Sequence, residues 1–257
     1  MVENIGTSGD GTRGDFADHS TLKTIILSLL PGLLVLAFFL VFAPIAYRYS
    51  IPVLSVIIVA IPLVLIPFEL GYLYVQGKKL NGRYSLKGIV LFREKIPQLR
   101  FILLFLAAFL WTIFCFGFLS GKIDPPVTKA FFGWLPNWFF VQTPARSAGG
   151  QGRTLLVVTA VLTILFNGIA GPIVEEMYFR GYLLPRMRYM RGWAPLVNAV
   201  LFSLYHFFSP WQNITRILAL VPYVYIVWWK RNLKFGIAVH CSLNLVGSVL
   251  SIVAAFG

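Results

Sequence analysis

The sequence predicts an all-α membrane protein with about seven transmembrane helices, plus or minus one. Of 257 residues, 58% are hydrophobic and only 12% are charged, whereas a soluble domain carries about 25% charged residues. Mean hydropathy is +0.79. The apolar residues fall into long uninterrupted runs, the pattern of helices solvated by lipid rather than water. Together these observations exclude a water-soluble globule.

Residues 1–20 are rich in Gly, Ser, Thr and Asp and hold almost nothing to bury, so they are expected to form a disordered tail. They lack the short apolar core and small-residue cleavage site of a signal peptide. The first apolar run, residues 24–47, is long enough to span and reads as a retained anchor. Further runs cover residues 51–75, 101–119, 155–184, 194–208, 214–229 and 235–255. Crossing a hydrocarbon core of roughly 30 Å takes about 20 helical residues, so the fifth and sixth runs are short unless their flanks count. Pro52, Pro62 and Pro67 suggest that the second span is kinked. No internal repeat or second domain is visible, and residues 21–257 read as a single polytopic membrane domain.

The net charge of +13 comes from 22 Lys and Arg against 9 Asp and Glu. These bases sit in short loops beside apolar runs, which points to topology and anionic lipid and excludes nucleic acid as a partner. With a cytoplasmic N-terminus, sixteen Lys and Arg fall in inside segments and six in outside segments. That bias favours an integral multi-pass protein with the N-terminus cytoplasmic and the C-terminus outside. Trp193, Trp211, Trp228 and Trp229 lie at span ends, where interfacial anchors belong. Residues 131–141 are too short to span and rich in aromatics, so they are expected in the outer interface. Residues 76–100 form a basic cytoplasmic loop long enough to touch a protein partner or the lipid surface. Cys115 and Cys241 lie in apolar stretches without metal or redox spacing.

After Asp124 the chain holds only two acids, the adjacent Glu175 and Glu176 within GPIVEEMYFRGYLL. An ionisable group in a spanning segment is a functional candidate by default, because it costs several kcal/mol unless paired or hydrated. Glu176 and Arg180 are four residues apart and meet on one helix face, so a structural salt bridge accounts for both. That bridge leaves Glu175 without a partner, pointing about 100° away. His206 and His240 each sit in an apolar run, and the chain's turn near Gly192 places Glu175 and His206 at similar depths. Asn244 lies one turn beyond His240 on the same face, and Phe202 lies one turn before His206. A carboxylate, two imidazoles and an amide can activate water and stabilise an oxyanion. Glu69, the other acid at depth, reads as an interfacial carboxylate close to the loop's bases.

At these residues the sequence resembles the CPBP family of intramembrane endopeptidases, also called the CAAX prenyl protease or Abi family. The resemblance rests on Glu175-Glu176 with Arg180, Phe202 with His206, and His240 with Asn244. It covers about residues 171–244 and implies a CPBP-type catalytic helical core in the C-terminal half, residues 154–257. It also implies that Glu175 is the general base on a water held with His206. His240 and Asn244 would stabilise the oxyanion, while Glu176, Arg180 and Phe202 would give structural support. The substrate implied is a membrane-tethered peptide or protein.

No cofactor is needed on this reading. The alternative is a metalloprotease in which Glu175, His206 and His240 hold zinc, an acceptable ligand set, though no HExxH is present and the base would be consumed. Three rival functions keep the same residues: a catalytically silent membrane scaffold, a bacteriocin self-immunity protein, and a proton-coupled transporter. The lack of an inverted repeat counts against transport.

Overall fold

The computed structural model describes residues 18–140 and 153–256. Their architecture is all-α, with seven helices carrying the fold. These are α1 (Thr21–Arg48), α2 (Leu54–Asn81), α3 (Gln98–Phe132), α4 (Val157–Arg186), α5 (Ala194–Leu204), α6 (Asn213–Lys230) and α7 (Leu233–Phe256). Five of them, α1 to α4 and α7, are long and apolar enough to cross a membrane.

The fifth expected span is cut short. With 11 residues, α5 rises only about 16 Å, half of a hydrocarbon core. It ends before His206, which sits in the turn that follows rather than on a helix. That turn is folded around a buried cation: Arg216 of α6 donates to Ser203 O, Asn213 Oδ1, Ser209 Oγ and Gln212 Oε1. Counted from the sequence among the six bases of outside segments, Arg216 is instead buried within the fold.

Helix α2 continues through Pro62 and Pro67 with a π-type turn at Ile61–Leu65, which accommodates prolines that lack an N–H to donate. It stops at Gly82, whose φ of 69° suits a residue without a side chain. Helix α4 is the centre of the bundle, packed against α7, α2 and α5. Two π-type stretches, Thr163–Ala170 and Glu176–Leu183, flank its short α-helical segment Gly171–Glu175. Such widened turns recur at functional sites because they re-aim neighbouring side chains.

Helix α1 carries no motif but touches the motif helices closely. A Cβ on Gly32 would overlap the carbonyl of Tyr205, so the small residue permits that approach. Tyr178 of α4 donates to Leu27 O at 2.9 Å.

Three local expectations change. Residues 1–17 of the expected tail lie outside the described residues, but the last three are docked. Asp18 pairs with Arg188 at 3.0 Å, the His19 N–H donates to Arg186 O, and Ser20 caps α1. They are held by the carbonyl of Arg186, the last residue of α4, and by Arg188 just beyond it. Next, the aromatic stretch 131–141 is only partly interfacial. Trp134 is exposed, but Phe139 is buried against Phe39 and Trp211, and Val141 lies outside the described residues. Trp211 itself is buried rather than an interfacial anchor, whereas Trp193 and Trp229 remain exposed.

The basic segment between α2 and α3 is stitched onto the bundle. Leu91 N–H donates to Gly181 O, Leu233 N–H to Phe92 O, and Glu94 N–H to Arg231 O. Arg93 and Asn232 form an isolated antiparallel bridge. This segment therefore clamps α4 to the start of α7.

Candidate active site

Glu175 ends the α-helical segment of α4 and is buried. The Tyr205 hydroxyl donates to its Oε1. Its other oxygen, Oε2, lies 3.7 Å from His240 Nε2. His240 also places Nδ1 3.1 Å from Oε1 of Glu176. One imidazole on α7 thus bridges the two adjacent carboxylates, which a helix necessarily splays to different sides.

Glu176 points into a second, fully buried network. Arg180 Nη1 is 3.4 Å from Glu176 Oε1, and both side chains are inaccessible to solvent. Tyr223 of α6 donates to the same oxygen at 3.0 Å and accepts from Arg180 Nη2 at 2.9 Å. The guanidinium also stacks 4.0 Å above the Phe202 ring. A buried pair of this kind needs such extra bonds to offset the loss of hydration. The expected Glu176–Arg180 contact is present, and Tyr223 completes it.

Phe202 stands between the imidazoles, with ring centroids 5.0 Å from His206 and 5.7 Å from His240. His206 Nδ1 lies 2.8 Å from Phe202 O. A carbonyl only accepts, so Nδ1 carries the hydrogen and the neutral ring keeps a bare Nε2. Tyr205 packs edge-on against His206 at 4.4 Å. Glu175, His206 and His240 are thus linked through Tyr205 and Phe202. Asn244 stands apart from this contact set: its amide donates to Asn167 O at 2.9 Å, across the α4–α7 interface one turn from His240.

Sequence reasoning set Glu69 aside as an interfacial carboxylate near the loop's bases. It is instead wholly buried on α2, with neither oxygen hydrogen-bonded, and its charged neighbours are Glu175 and Arg180. The packing of α2 on α4 turns it inward, so it joins the candidates.

A zinc ion would require Glu175, His206 and His240 to converge as ligands. Among the described residues no three His, Cys, Asp or Glu side chains make a group that could hold a metal ion. Each imidazole engages Nδ1, with Phe202 O and with Glu176, which leaves Nε2 as the atom a metal would take. Glu175, His206 and His240 are thus not gathered as a three-ligand set among the described residues.

The class defined by fold and site is a polytopic helical membrane protein with a buried carboxylate–imidazole centre between α4, the α5 turn and α7. Residues 157–246 match the family model described as type II CAAX prenyl endopeptidase Rce1-like. The match takes in all three motifs and is to a model of the CPBP/CAAX protease family, a family of peptidases. No curated protein and no solved structure matches the chain.

Proposed function

We propose that this protein is an intramembrane endopeptidase that hydrolyses a peptide bond in a membrane-tethered peptide or protein without a metal. The observation that carries this reading is the division of labour around Glu175. Tyr205 occupies Oε1, leaving Oε2 near His240 to accept a proton. His206, with Nδ1 spent on Phe202 O, offers Nε2 as an acceptor.

Water donates one hydrogen to Glu175 and is oriented by the other on His206 Nε2. As its oxygen attacks the scissile carbonyl carbon, the proton passes to Glu175 and the carbonyl oxygen takes the charge. His240, held between two carboxylates, donates from Nε2 to that oxyanion. Asn244 contributes the amide hydrogen not given to Asn167. The tetrahedral intermediate collapses, the C–N bond breaks, and Glu175 returns its proton to the leaving nitrogen. Glu176, Arg180 and Tyr223 hold His240 in place throughout.

The sixteen-to-six bias of Lys and Arg supports a cytoplasmic N-terminus and an outside C-terminus. The test is cleavage of a lipid-anchored or transmembrane peptide by the purified protein in vesicles. Wild type should cleave and Glu175→Gln should not. Equal cleavage by both would remove Glu175 from the chemistry.

A further inference from the structure

The clamp formed by the basic segment on α4 and α7 borders an open cavity of about 550 Å³, within the range of roughly 300 to 1,000 Å³ typical of small-molecule sites. Its apolar wall includes Phe92 and Ile96 of the clamp, Phe101 of α3, Met177 of α4 and Ile237 of α7. Its rim holds Arg93, Lys95 and Lys234, all exposed, together with the single acid Glu94. Every ion pair among the described residues lies elsewhere, so these three bases have no acidic partner. Directly beside the cavity, α3 turns Leu99, Ile102 and Leu103 outward, the exposed apolar face that a helix presents to lipid.

We propose that this cavity is a binding site for an anionic membrane lipid, whose phosphate headgroup sits on Arg93, Lys95 and Lys234 and whose acyl chain enters along Phe92, Ile96 and Phe101. Charge and shape both select that occupant. Three bases against one acid attract an anion, and basic pockets at the ends of membrane helices are where acidic headgroups are held. The apolar wall then distinguishes an amphiphile from a free anion, because burying an acyl chain adds a hydrophobic gain that a bare phosphate lacks. A soluble acidic peptide would satisfy the rim but leave the wall and the outward face of α3 unused. The site is separate from the peptidase centre, although Met177 follows Glu176 and Ile237 lies one turn before His240. A bound lipid therefore fills the space between the two motif helices at their basic ends.

The test uses the full-length protein in uncharged detergent, titrated with phosphatidylglycerol and followed by native mass spectrometry. One saturable phosphatidylglycerol is expected per protein, with phosphatidylcholine binding at least tenfold more weakly. Removing one base near a membrane surface weakens such binding about fivefold, so Lys95→Ala with Lys234→Ala should weaken it about 25-fold. Ile96→Trp, which fills the cavity without changing charge, should abolish it. Lys79→Ala with Arg83→Ala, on exposed bases outside the cavity, should leave it unchanged. Equal loss in that control pair, equal binding of phosphatidylcholine, or indifference to Ile96→Trp would overturn the site. Displacement of the lipid by millimolar inorganic phosphate would show an anion site without an acyl pocket and would equally overturn the proposal.

Discussion

The hydroxyl of Tyr205 donates to the carboxylate of Glu175 from the residue immediately before His206. One short turn thus delivers both the group that steadies the base and the imidazole that shares its water. Tyr205→Phe keeps the ring packing and removes only the donor. A hydrogen bond to a charged acceptor contributes about 1.5 to 3 kcal/mol, so kcat should fall about ten- to a hundredfold. KM should change little, because the substrate does not touch this bond. Steady-state kinetics on a tethered peptide check the split. An altered KM at constant kcat would make Tyr205 a substrate contact.

Arg180 is fully buried and shares Glu176 with Tyr223 and His240. Arg180→Ala leaves a buried carboxylate facing an incomplete network, which destabilises by about 3 to 5 kcal/mol. Folded yield in detergent should fall sharply along with activity. Glu176→Gln combined with Arg180→Met should recover yield, because it removes both charges together. A fully stable Arg180→Ala protein that fails only in chemistry would move Arg180 into the reacting set.

Asn244 gives one amide hydrogen to Asn167 O, leaving the other for the oxyanion. Asn244→Ala should lower kcat about 100- to 1,000-fold, as the loss of an oxyanion donor does, with substrate binding nearly intact. Pre-steady-state binding and turnover measured on one substrate separate the two. If KM rises while kcat holds, Asn244 positions substrate instead.

Chelation provides an independent check on the chemistry. Among the described residues the donor set does not gather three ligands. Activity should survive exhaustive treatment with a chelator, and active protein should contain no stoichiometric zinc by elemental analysis. Chelator-sensitive activity restored by zinc would replace the glutamate mechanism with a metal one.

The docked segment before α1 should respond to acid. Burial, with help from the charges of Lys23 and Arg186, pushes the His19 imidazole down to about 4 from its ordinary 6.5, against a smaller opposing pull from Asp18. A group lowered on docking stabilises the docked form fully above pH 6.5 and loses that contribution as pH falls from 6.5 toward about 4. Protection factors at residues 19–23, which correct exchange for its intrinsic slowing in acid, should therefore fall between pH 7 and pH 5. His19→Phe should flatten that dependence, and a wild-type profile without slope would show that His19 is not held neutral.

The residues that the motifs supply were legible because intramembrane acids and imidazoles are rare enough to stand out. Their partners were not. Tyr205, Tyr223 and Asn167 look like ordinary members of apolar runs, and they acquire roles only when packing brings them to residues 30, 47 and 77 positions away. Arg216 counts as one of the six outside bases for the same reason: nothing local reveals that Ser203, Ser209, Gln212 and Asn213 will close around it. The helix count was legible from hydropathy alone. That α5 would end halfway was not, because the turn replacing its last stretch is stabilised by that buried cation rather than by its own sequence.

Gly32 sets the distance between a helix without motifs and the backbone of Tyr205. The amino-terminal helices thus serve as the gauge against which the centre is assembled: Gly32 fixes how near α1 comes to the Tyr205 turn, Leu27 receives the phenol of Tyr178, and Glu69 enters from α2. Grafting the motif-bearing half onto another membrane scaffold would therefore carry over the reactive groups but lose their calibration. The chemistry is written in the second half of the chain and its tolerances in the first.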